Sequence, residues 1–345
     1  MGGQRTLILA AEHPERTLGA VFIAPAVPLA PRPPERAITA RFEEVLDTDE
    51  GWAKYNRHYW LRDHRGFLEF FFSNAFSERH STKPIEDCVE WGLETTPETL
   101  ADTTVAEGLV AEEETRELAR RVRCPTLVIQ GTDDRITGPA RGVELARAIE
   151  GSRLVMLEGS GHLPHARDPV QVNLLIRGFV DGIHPPARPE RRWVRGKSRA
   201  KRALYICSPI GLGHARRDVA IADELRAIHP DLEIDWLAQY PVTRVLEERG
   251  ERVHPASAGL SSEVEHIDSE SAEHDLHCFQ AWRRMDEILL ANFMLFHDIV
   301  RESDYDLWIG DEAWELDYYL HENPEQKRAA YVWLTDFVGW LPMPD

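Results

Sequence analysis

The chain has 345 residues, 43% of them hydrophobic, and carries 59 acidic against 40 basic side chains, a net charge of −19. This composition is typical of folded proteins, and the length predicts about two domains. The acidic balance argues against a nucleic-acid partner, because binding phosphates needs basic side chains. No apolar run approaches the roughly 18–20 residues of a membrane span, and the N-terminus lacks a signal-peptide pattern. With four scattered cysteines and no CxxC spacing, we expect a cytoplasmic protein without a metal or cofactor.

The first 182 residues predict an α/β domain that is interrupted by helices. Residues 6–16 favour a helix, and residues 18–27 (LGAVFIAPAV) favour a buried strand. Charged and aromatic residues at helical spacing predict a helical cap over about 30–120. Two further strand-like runs follow, TLVIQG from residue 126 and RLVMLEG from residue 153, and each precedes a helix. This alternation predicts neighbouring strands of a parallel sheet.

The second half begins with a basic stretch. Residues 183–202 contain eight basic residues, one acidic residue and no apolar period, which predicts a linker. The strand and helix alternation then starts again over 203–345 and predicts a second, Rossmann-like parallel sheet. Residues 256–277 are polar and predict a loop, and residues 279–302 predict a long amphipathic helix. The runs YDLWIGDEAWEL and AAYVWLTDF resemble two further strands.

Two polar groups follow neighbouring strands of the first predicted sheet. The sequence GTDD, which ends at Asp134, comes directly after TLVIQ, and His162 lies in the loop after RLVMLEG. Because the carboxyl ends of parallel strands meet at one edge of the sheet, we expect these side chains to lie close together. An Asp in that position can orient a His that acts as a general base. The alternative is a helix-capping Asp and an unrelated surface His.

The order strand, GTDD, helix, strand, GSGH, helix resembles the α/β-hydrolase family, in which this Asp precedes this His along the chain. The resemblance implies that Asp134 is the acid, since the family's pattern is G-x-x-D, with Asp133 as the less favoured choice. It implies that His162 is the base for cleavage of a small-molecule acyl ester. The resemblance extends back through HPERTLGAVFIAP to the first residues, MGG, where Met1 occupies the position just after the family's nucleophilic Ser.

On that alignment the chain lacks the nucleophile and the strand before it. We therefore expect a fragment that is inactive as a serine hydrolase, with the AVFIAP strand leaving an unpaired apolar edge. Ser160 lacks the sharp turn that exposes a nucleophile, and Ser208 belongs to the other domain. A remnant domain that is retained for its structure is the alternative.

A second group of chemical residues follows the strand ALYICSPI. Gly211 and Gly213 lie at a strand-to-helix turn that continues to His214. Glycines permit close approach of a substrate, and a helix N-terminus favours negative charge. The third glycine and the ribose-binding acid of a dinucleotide fingerprint are both missing, so no dinucleotide is predicted. The segment SPIGLGHARRDVAIADEL resembles the first loop and helix of GT-B glycosyltransferases.

The GT-B resemblance implies a base and a partner for it. In that family the loop His deprotonates an acceptor hydroxyl, and an Asp about 100 residues later supports the imidazolium. The corresponding residues here are His214 and Asp311. The residues Ala215-Arg216-Arg217 replace the family's usual x-x-Pro, and Arg216 or Arg217 is a candidate to bind a sugar acceptor that carries negative charge. The nucleotide sugar binds a second domain in that family, so we expect no donor site within 203–345. A capping His and a turn Asp without catalytic roles are the alternative.

The predicted fold class is therefore α/β throughout. A partial α/β-hydrolase sheet with a helical cap over 1–182 precedes the linker over 183–202 and a Rossmann-like GT-B N-terminal domain over 203–345. The predicted function is a piece of a bifunctional acyl hydrolase and glycosyltransferase, and the alternative is a non-catalytic scaffold. Two other patterns are interpreted structurally. The group His266, His274, His277 and Cys278 lacks zinc-site spacing, and the aromatic run from Phe67 to Phe76 is typical of helix packing.

Overall fold

The computed structural model describes residues 2–106, 111–185, 199–270, 281 and 283–336. The chain divides into two compact units, Met1–Ala187 and Arg188–Asp345. Each unit contains its own parallel sheet.

In the part of the first unit that the structure describes, the sheet has three parallel strands: β1 (Ala20–Ile23), β2 (Thr126–Gly131) and β3 (Arg153–Leu157). The order is β1-β2-β3, and every residue of β2 is buried, as expected for a central strand. All three strands were predicted. Among the described strands β1 pairs only with β2, which leaves the other edge of β1 without a strand partner there.

The helices of the first unit are α1 (Gly2–Glu12), α2 (Arg57–Arg62), α3 (His64–Ala75), α4 (Thr82–Leu93), α5 (Pro97–Ala106), α6 (Glu112–Arg121), α7 (Pro139–Ala148), α8 (Pro164–Arg167) and α9 (Pro169–Ile183). Helices α2 to α6 lie between β1 and β2 in the chain and form the predicted cap. Within it the rings of Trp60 and Phe67 stack at 4.2 Å between centroids. Phe67 and Phe76 are buried, so this aromatic run packs the cap helices.

Within the described residues the sheet of the second unit has five parallel strands: β4 (Arg202–Ile206), β5 (Glu233–Leu237), β6 (Arg252–Val253), β7 (Leu307–Asp311) and β8 (Ala330–Leu334). Their order is β6-β5-β4-β7-β8. The chain builds outward from β4 to β6 and then returns to β7 on the other side of β4. The strand order therefore reverses between β4 and β7, and such a switch point is where open α/β sheets bind ligands.

The helices of the second unit are α10 (Leu212–Ile228), α11 (Val242–Glu248), α12 (Glu263–Glu270), α13 (Asp286–Glu302) and α14 (Trp314–Glu322). Helix α10 buries an apolar stripe at helical spacing, Ala215, Val219 and Ala222, in the same core cluster as Tyr205 and Trp236 of the sheet. This packing fixes the start of α10 beside the carboxyl end of β4. None of the helices that the structure describes is both long and apolar enough to cross a membrane.

The linker predicted over 183–202 is too long at both ends. Helix α9 continues to Ile183, and β4 begins at Arg202. The guanidinium of Arg199 binds both carboxylate oxygens of Asp306, at 2.7 and 2.8 Å. Residues 199–202 therefore belong to the second unit, because their basic side chains pair with its acids. Residues 186–198 lie outside the described residues.

Two other boundaries differ from the prediction. The polar stretch predicted as a loop includes helix α12, and the run YDLWIGDEAWEL is a strand only as far as Asp311. Helix α14 starts at Trp314, and its buried residues Leu316, Tyr319 and Leu320 lie at helical spacing. Of the long helix predicted over 279–302, Asp286–Glu302 forms α13, residues 281 and 283 are also helical, and residues 279, 280 and 282 lie outside the described part of the chain.

Candidate active sites

The first site consists of Asp134, in the turn after β2, and His162, in the loop after β3. The Nδ1 atom of His162 lies 3.0 Å from Oδ2 of Asp134. The carboxyl group is buried, and the imidazole is 18% exposed. The parallel pairing of β2 and β3 thus brings together two residues that are 28 positions apart, as the sequence predicts. Asp133 is exposed, so of the two candidate acids only Asp134 is paired with His162.

Asp134 accepts hydrogen bonds on both carboxylate oxygens. Oδ1 accepts from the backbone N–H groups of Ile136 and Thr137, at 2.8 and 3.0 Å. Oδ2 accepts from the Thr137 hydroxyl at 2.6 Å and from Nε2 of Gln130 at 3.0 Å. Burial alone would raise the pKa of Asp134, but the hydrogen bond and charge of His162, together with the bonds from Thr137, lower it well below its usual value.

An ionised carboxylate only accepts hydrogen bonds, so we assign the proton of neutral His162 to Nδ1. This tautomer leaves Nε2 as the nitrogen that can take a proton from a substrate or nucleophile. The Asp134 carboxylate then balances the positive charge that forms on the ring. The pair has the arrangement of a general base and its orienting acid.

The cap holds the loop that carries His162. The backbone N–H of His162 donates to the carbonyl of Ala75 at 2.8 Å, and the N–H of Gly161 donates to Oε1 of Glu78 at 2.6 Å. The Ser160 hydroxyl donates to the same oxygen at 3.1 Å. Ser160 is therefore bound to the cap, in line with the expectation that it is not a replacement nucleophile.

The sequence did not identify Glu78, Gln130 or Thr137. Thr137 lies three residues after Asp134, the spacing at which an Asp side chain commonly caps a turn, and this signal could have been used. Glu78 is 83 residues from Gly161, so no local pattern indicates that contact. Gly131 also has a steric role, because a Cβ there would collide with the carbonyl oxygens of Ser160 and Gly161.

The second site lies at the switch point between β4 and β7. Nδ1 of His214, in the first turn of α10, is 2.8 Å from Oδ2 of Asp311, the last residue of β7. The Asp311 side chain is fully buried, and the imidazole is 17% exposed. The two predicted residues are thus brought together across 97 positions. The Ser208 hydroxyl in the nearby loop accepts the N–H of Ile210 at 3.3 Å.

Arg217 joins this second pair, whereas Arg216 lies exposed on the same helix. The guanidinium of Arg217 donates to Oδ1 of Asp311 and to Oδ1 of Asp336. The hydrogen bond to Asp336, with the charge of Asp311, raises the pKa of Arg217 above its usual value. Nη2 of Arg217 also lies 3.1 Å from Nδ1 of His214. His214 and Arg217 both donate to the carboxylate of Asp311. We therefore attribute the short distance between their nitrogens to this shared acceptor and not to a hydrogen bond between the two side chains. The sequence did not single out Asp336.

Gly211 and Gly213 flank the turn before His214. Neither has a backbone conformation that requires glycine, and a Cβ at either position would meet none of the described residues within 4 Å. The protein's own packing therefore does not explain these two glycines. The space beside the turn is open.

One cluster in the second unit has atoms of the kind that bind metals. One ligand atom each from Cys207, Asp218 and Asp311 lies within 4.8 Å of the other two. A cation there would compete with Arg217 for Asp311, so we assign no metal to the cluster. His266, from the predicted acidic loop, hydrogen-bonds through Nε2 to the carbonyl of Ala281 at 3.0 Å. His274, His277 and Cys278 lie outside the described residues.

Comparison with known proteins identifies the first unit. The profile of the alpha/beta hydrolase family matches residues 1–173. The chain belongs to the alpha/beta hydrolase family. Similar curated proteins include pimeloyl-(acyl-carrier protein) methyl ester esterase of Neisseria meningitidis serogroup A, which is 37% identical over 68 residues, or 20% of this chain and 22% of that protein. Pyrrolizixenacetamide deacetylase of Xenorhabdus hominickii is 38% identical over 64 residues, or 19% of this chain and 24% of that protein.

The match to these relatives is partial, since the chain spans about a quarter of their length. Among solved structures, a thermophilic esterase from Thermogutta terrifontis with malate bound is 24% identical, with a TM-score of 0.41 over 53% of this chain and 62% of that one. Est816, described as an N-acyl homoserine lactone degrading enzyme, is 22% identical, with a TM-score of 0.39 over 52% of this chain and 64% of that one. The family match ends within the first unit.

Proposed function

We propose that the first unit supplies the general base and its partner for hydrolysis of a small-molecule ester or related acyl bond. His162 is the base and Asp134 is the partner. The observation that carries this proposal is the 3.0 Å contact between them at the carboxyl ends of adjacent strands, in a chain of the alpha/beta hydrolase family. The relatives named above as an esterase and a deacetylase support the same class of bond.

In this reaction a water molecule acts in place of the family's nucleophilic Ser and loses a proton to Nε2 of His162 as its oxygen attacks the carbonyl carbon. The O–H bond breaks, an N–H bond forms, and Asp134 balances the imidazolium. The same proton then passes to the leaving alcohol. Base catalysis of this kind contributes about 10²–10⁴ to the rate.

The test is hydrolysis of p-nitrophenyl acetate by the 345-residue chain. We expect His162→Gln to lower the rate above background at least about a hundredfold, which is the low end of the contribution of a general base. The matched control is His214→Gln in the other unit, which we expect to leave the rate unchanged. Equal rates for the wild type and His162→Gln would contradict the proposal and favour a non-catalytic scaffold.

For the second unit we propose activation of a sugar acceptor's hydroxyl by His214, with Asp311 supporting the imidazolium. Three observations support this proposal: the 2.8 Å contact between the two residues, its position at the switch point of the sheet, and the open glycine turn beside it. Arg216 and Arg217 are proposed to favour an acceptor with negative charge. Transfer from a nucleotide sugar would need a donor site beyond residues 203–345.

A ligand-observed NMR panel of methyl glycosides, with neutral and anionic members, tests the second proposal. We expect saturation transfer to at least one glycoside, and we expect Gly213→Val to remove it, because the valine side chain fills the open space at the turn. His162→Gln is the control that should keep it. Absence of transfer to the whole panel, or transfer that survives Gly213→Val, would contradict the proposal.

A further inference from the structure

A second carboxyl group lies behind the His214–Asp311 pair. Asp218 is four residues after His214 on α10, and its side chain is completely buried. One of its oxygens, one oxygen of Asp311 and Sγ of Cys207 lie within 4.8 Å of one another. Two buried acids thus share one small space.

Their charges are compensated unequally. Asp311 accepts hydrogen bonds from His214 and Arg217. Asp218 accepts one from the neutral hydroxyl of Tyr205, at 3.0 Å on Oδ1, and Nε of Arg217 lies 4.0 Å from the same oxygen. Oδ2 of Asp218 is buried and receives no hydrogen bond from the described residues.

Two adjacent buried carboxylates repel each other, and a charge without its own partner is expensive to bury. A proton on Oδ2 of Asp218 removes both costs. The resulting O–H is a donor, and the neighbouring Asp311 carboxylate is an acceptor. Every buried oxygen of the pair then has a role in a hydrogen bond.

We propose that Asp218 is a positioning residue of the second site: it is held as a neutral acid that donates a hydrogen bond to Asp311 and so keeps Asp311 directed at His214 and Arg217. The proposal rests on the proposed role of His214 as a base. Asp218 itself contacts no substrate in this account.

The electrostatic surroundings of Asp218 agree with the geometry. Burial raises the pKa of Asp218 to about 7, and the charge of Asp311 adds to this effect, whereas the neighbouring Cys207 thiol and the hydrogen bond from Tyr205 oppose it. The titratable and charged groups of this cluster are Tyr205 and Cys207 of β4, His214 and Arg217 of α10, Asp311 of β7, and Asp336, which reaches it through Arg217. Arg217 is the one permanent cation among these named groups.

The sign of the pH effect follows from the raised pKa. The folded chain holds the Asp218 proton more tightly than the unfolded chain, so the stabilisation is complete below the ordinary pKa of about 4 and is lost as the pH rises towards 7. Above that pH a second negative charge lies behind Asp311. The donor that orients Asp311 is then lost.

Infrared spectroscopy of the full 345-residue chain tests the proton directly. Burial also raises the pKa of Glu263 to about 7 and that of Glu315 to about 8, so the band of Asp218 is read from the difference between the wild-type spectrum and that of Asp218→Asn. In this difference we expect a carboxylic-acid C=O band below about pH 7 that disappears as the pH rises through that value. Asp218→Asn should remove the band, and Asp223→Asn, on an exposed site of the same helix, should keep it. Tyr205→Phe should move the transition to higher pH, because it removes a donor to the ionised form. Absence of the band below pH 7, or its survival in Asp218→Asn, would overturn the proposal.

The positioning role is tested by the ¹⁵N signals of the His214 ring, which report its tautomer. We expect Asp218→Asn to keep the Nδ1–H tautomer, because the amide still donates to Asp311. Asp218→Leu removes the donor and should give a mixture, with circular dichroism as the check on folding. If both variants keep one tautomer, Asp218 does not position Asp311. The infrared and ¹⁵N spectra do not depend on glycoside binding. If no methyl glycoside of the panel binds while both spectra behave as expected, the sugar-acceptor function is rejected and the positioning role of Asp218 is retained.

Discussion

The substitution Asp134→Asn removes one charge from the most heavily hydrogen-bonded acid of the first site. Five donors reach its two oxygens, whereas asparagine offers one acceptor oxygen. That oxygen can keep the two backbone bonds from Ile136 and Thr137. The new NH₂ group then faces the amide of Gln130 and Nδ1 of His162, both of which are donors. The Thr137 hydroxyl can rotate to accept.

The size of the effect follows from those two lost bonds. A hydrogen bond to a charged group contributes about 1.5–3 kcal/mol. Because His162 can change tautomer and recover part of its bond, we expect Asp134→Asn to lower the free energy of unfolding of the first unit by about 3 kcal/mol at pH 7. The lowered pKa of Asp134 gives the sign of the pH dependence. Its contribution is present above the ordinary pKa of about 4 and is lost as the pH falls below it.

The assay is hydrogen exchange of the β2 amides, which reports the opening of the first unit alone. Asp133→Asn is the matched control, because Asp133 is exposed and should change the free energy by less than about 0.5 kcal/mol. The difference between the wild type and Asp134→Asn should narrow as the pH is lowered towards 3. An equal loss in both variants, or a difference that does not depend on pH, would refute the reasoning.

Three further predictions concern the supports of the two sites. Gly131→Ala should destabilise the first unit by at least about 3 kcal/mol in denaturant unfolding, because the new Cβ collides with two backbone carbonyls that cannot move independently; a loss below 1 kcal/mol would contradict this. Glu78→Ala should speed exchange of the Gly161 amide about tenfold, since one charge-assisted bond of 2.6 Å is lost; unchanged exchange would show that the cap does not hold the loop. Asp235→Asn should lower the stability of the second unit by about 2 kcal/mol, because the carboxylate accepts from two arginines and a tyrosine. Asp235→Asn should leave hydrogen exchange of the β2 amides, which belong to the first unit, unchanged.

Both candidate pairs were predicted from the sequence, and the pair in the first unit follows from the carboxyl ends of neighbouring parallel strands. Once TLVIQG and RLVMLEG are neighbours, the loops after them must be neighbours too, which places Asp134 beside His162. The pairing of His214 with Asp311 was implied by the GT-B resemblance, and the fold places the two residues at the carboxyl ends of the adjacent strands β4 and β7. The hydrophobic runs that predict the strands therefore also predict which loops are neighbours.

The residues that support the pairs could not be predicted in the same way. Glu78 reaches Gly161 from the cap, and Asp336 reaches Arg217 from beyond β8; both contacts depend on how separate elements pack. The ends of the linker were misplaced because Arg199 and Arg202 look like tether residues in the sequence. Their partners, Asp306 and Asp235, are supplied by distant parts of the fold.

The central claim is that each unit contains its own histidine paired with an aspartate through Nδ1. ¹⁵N NMR of the two imidazole rings in the 345-residue chain, at a pH at which both are neutral, tests it most directly. We predict that both rings carry the proton on Nδ1, that Asp134→Asn changes the signals of His162 alone, and that Asp311→Asn changes those of His214 alone. A ring that averages between tautomers in the wild type, or one that responds only to the substitution in the other unit, would contradict the claim.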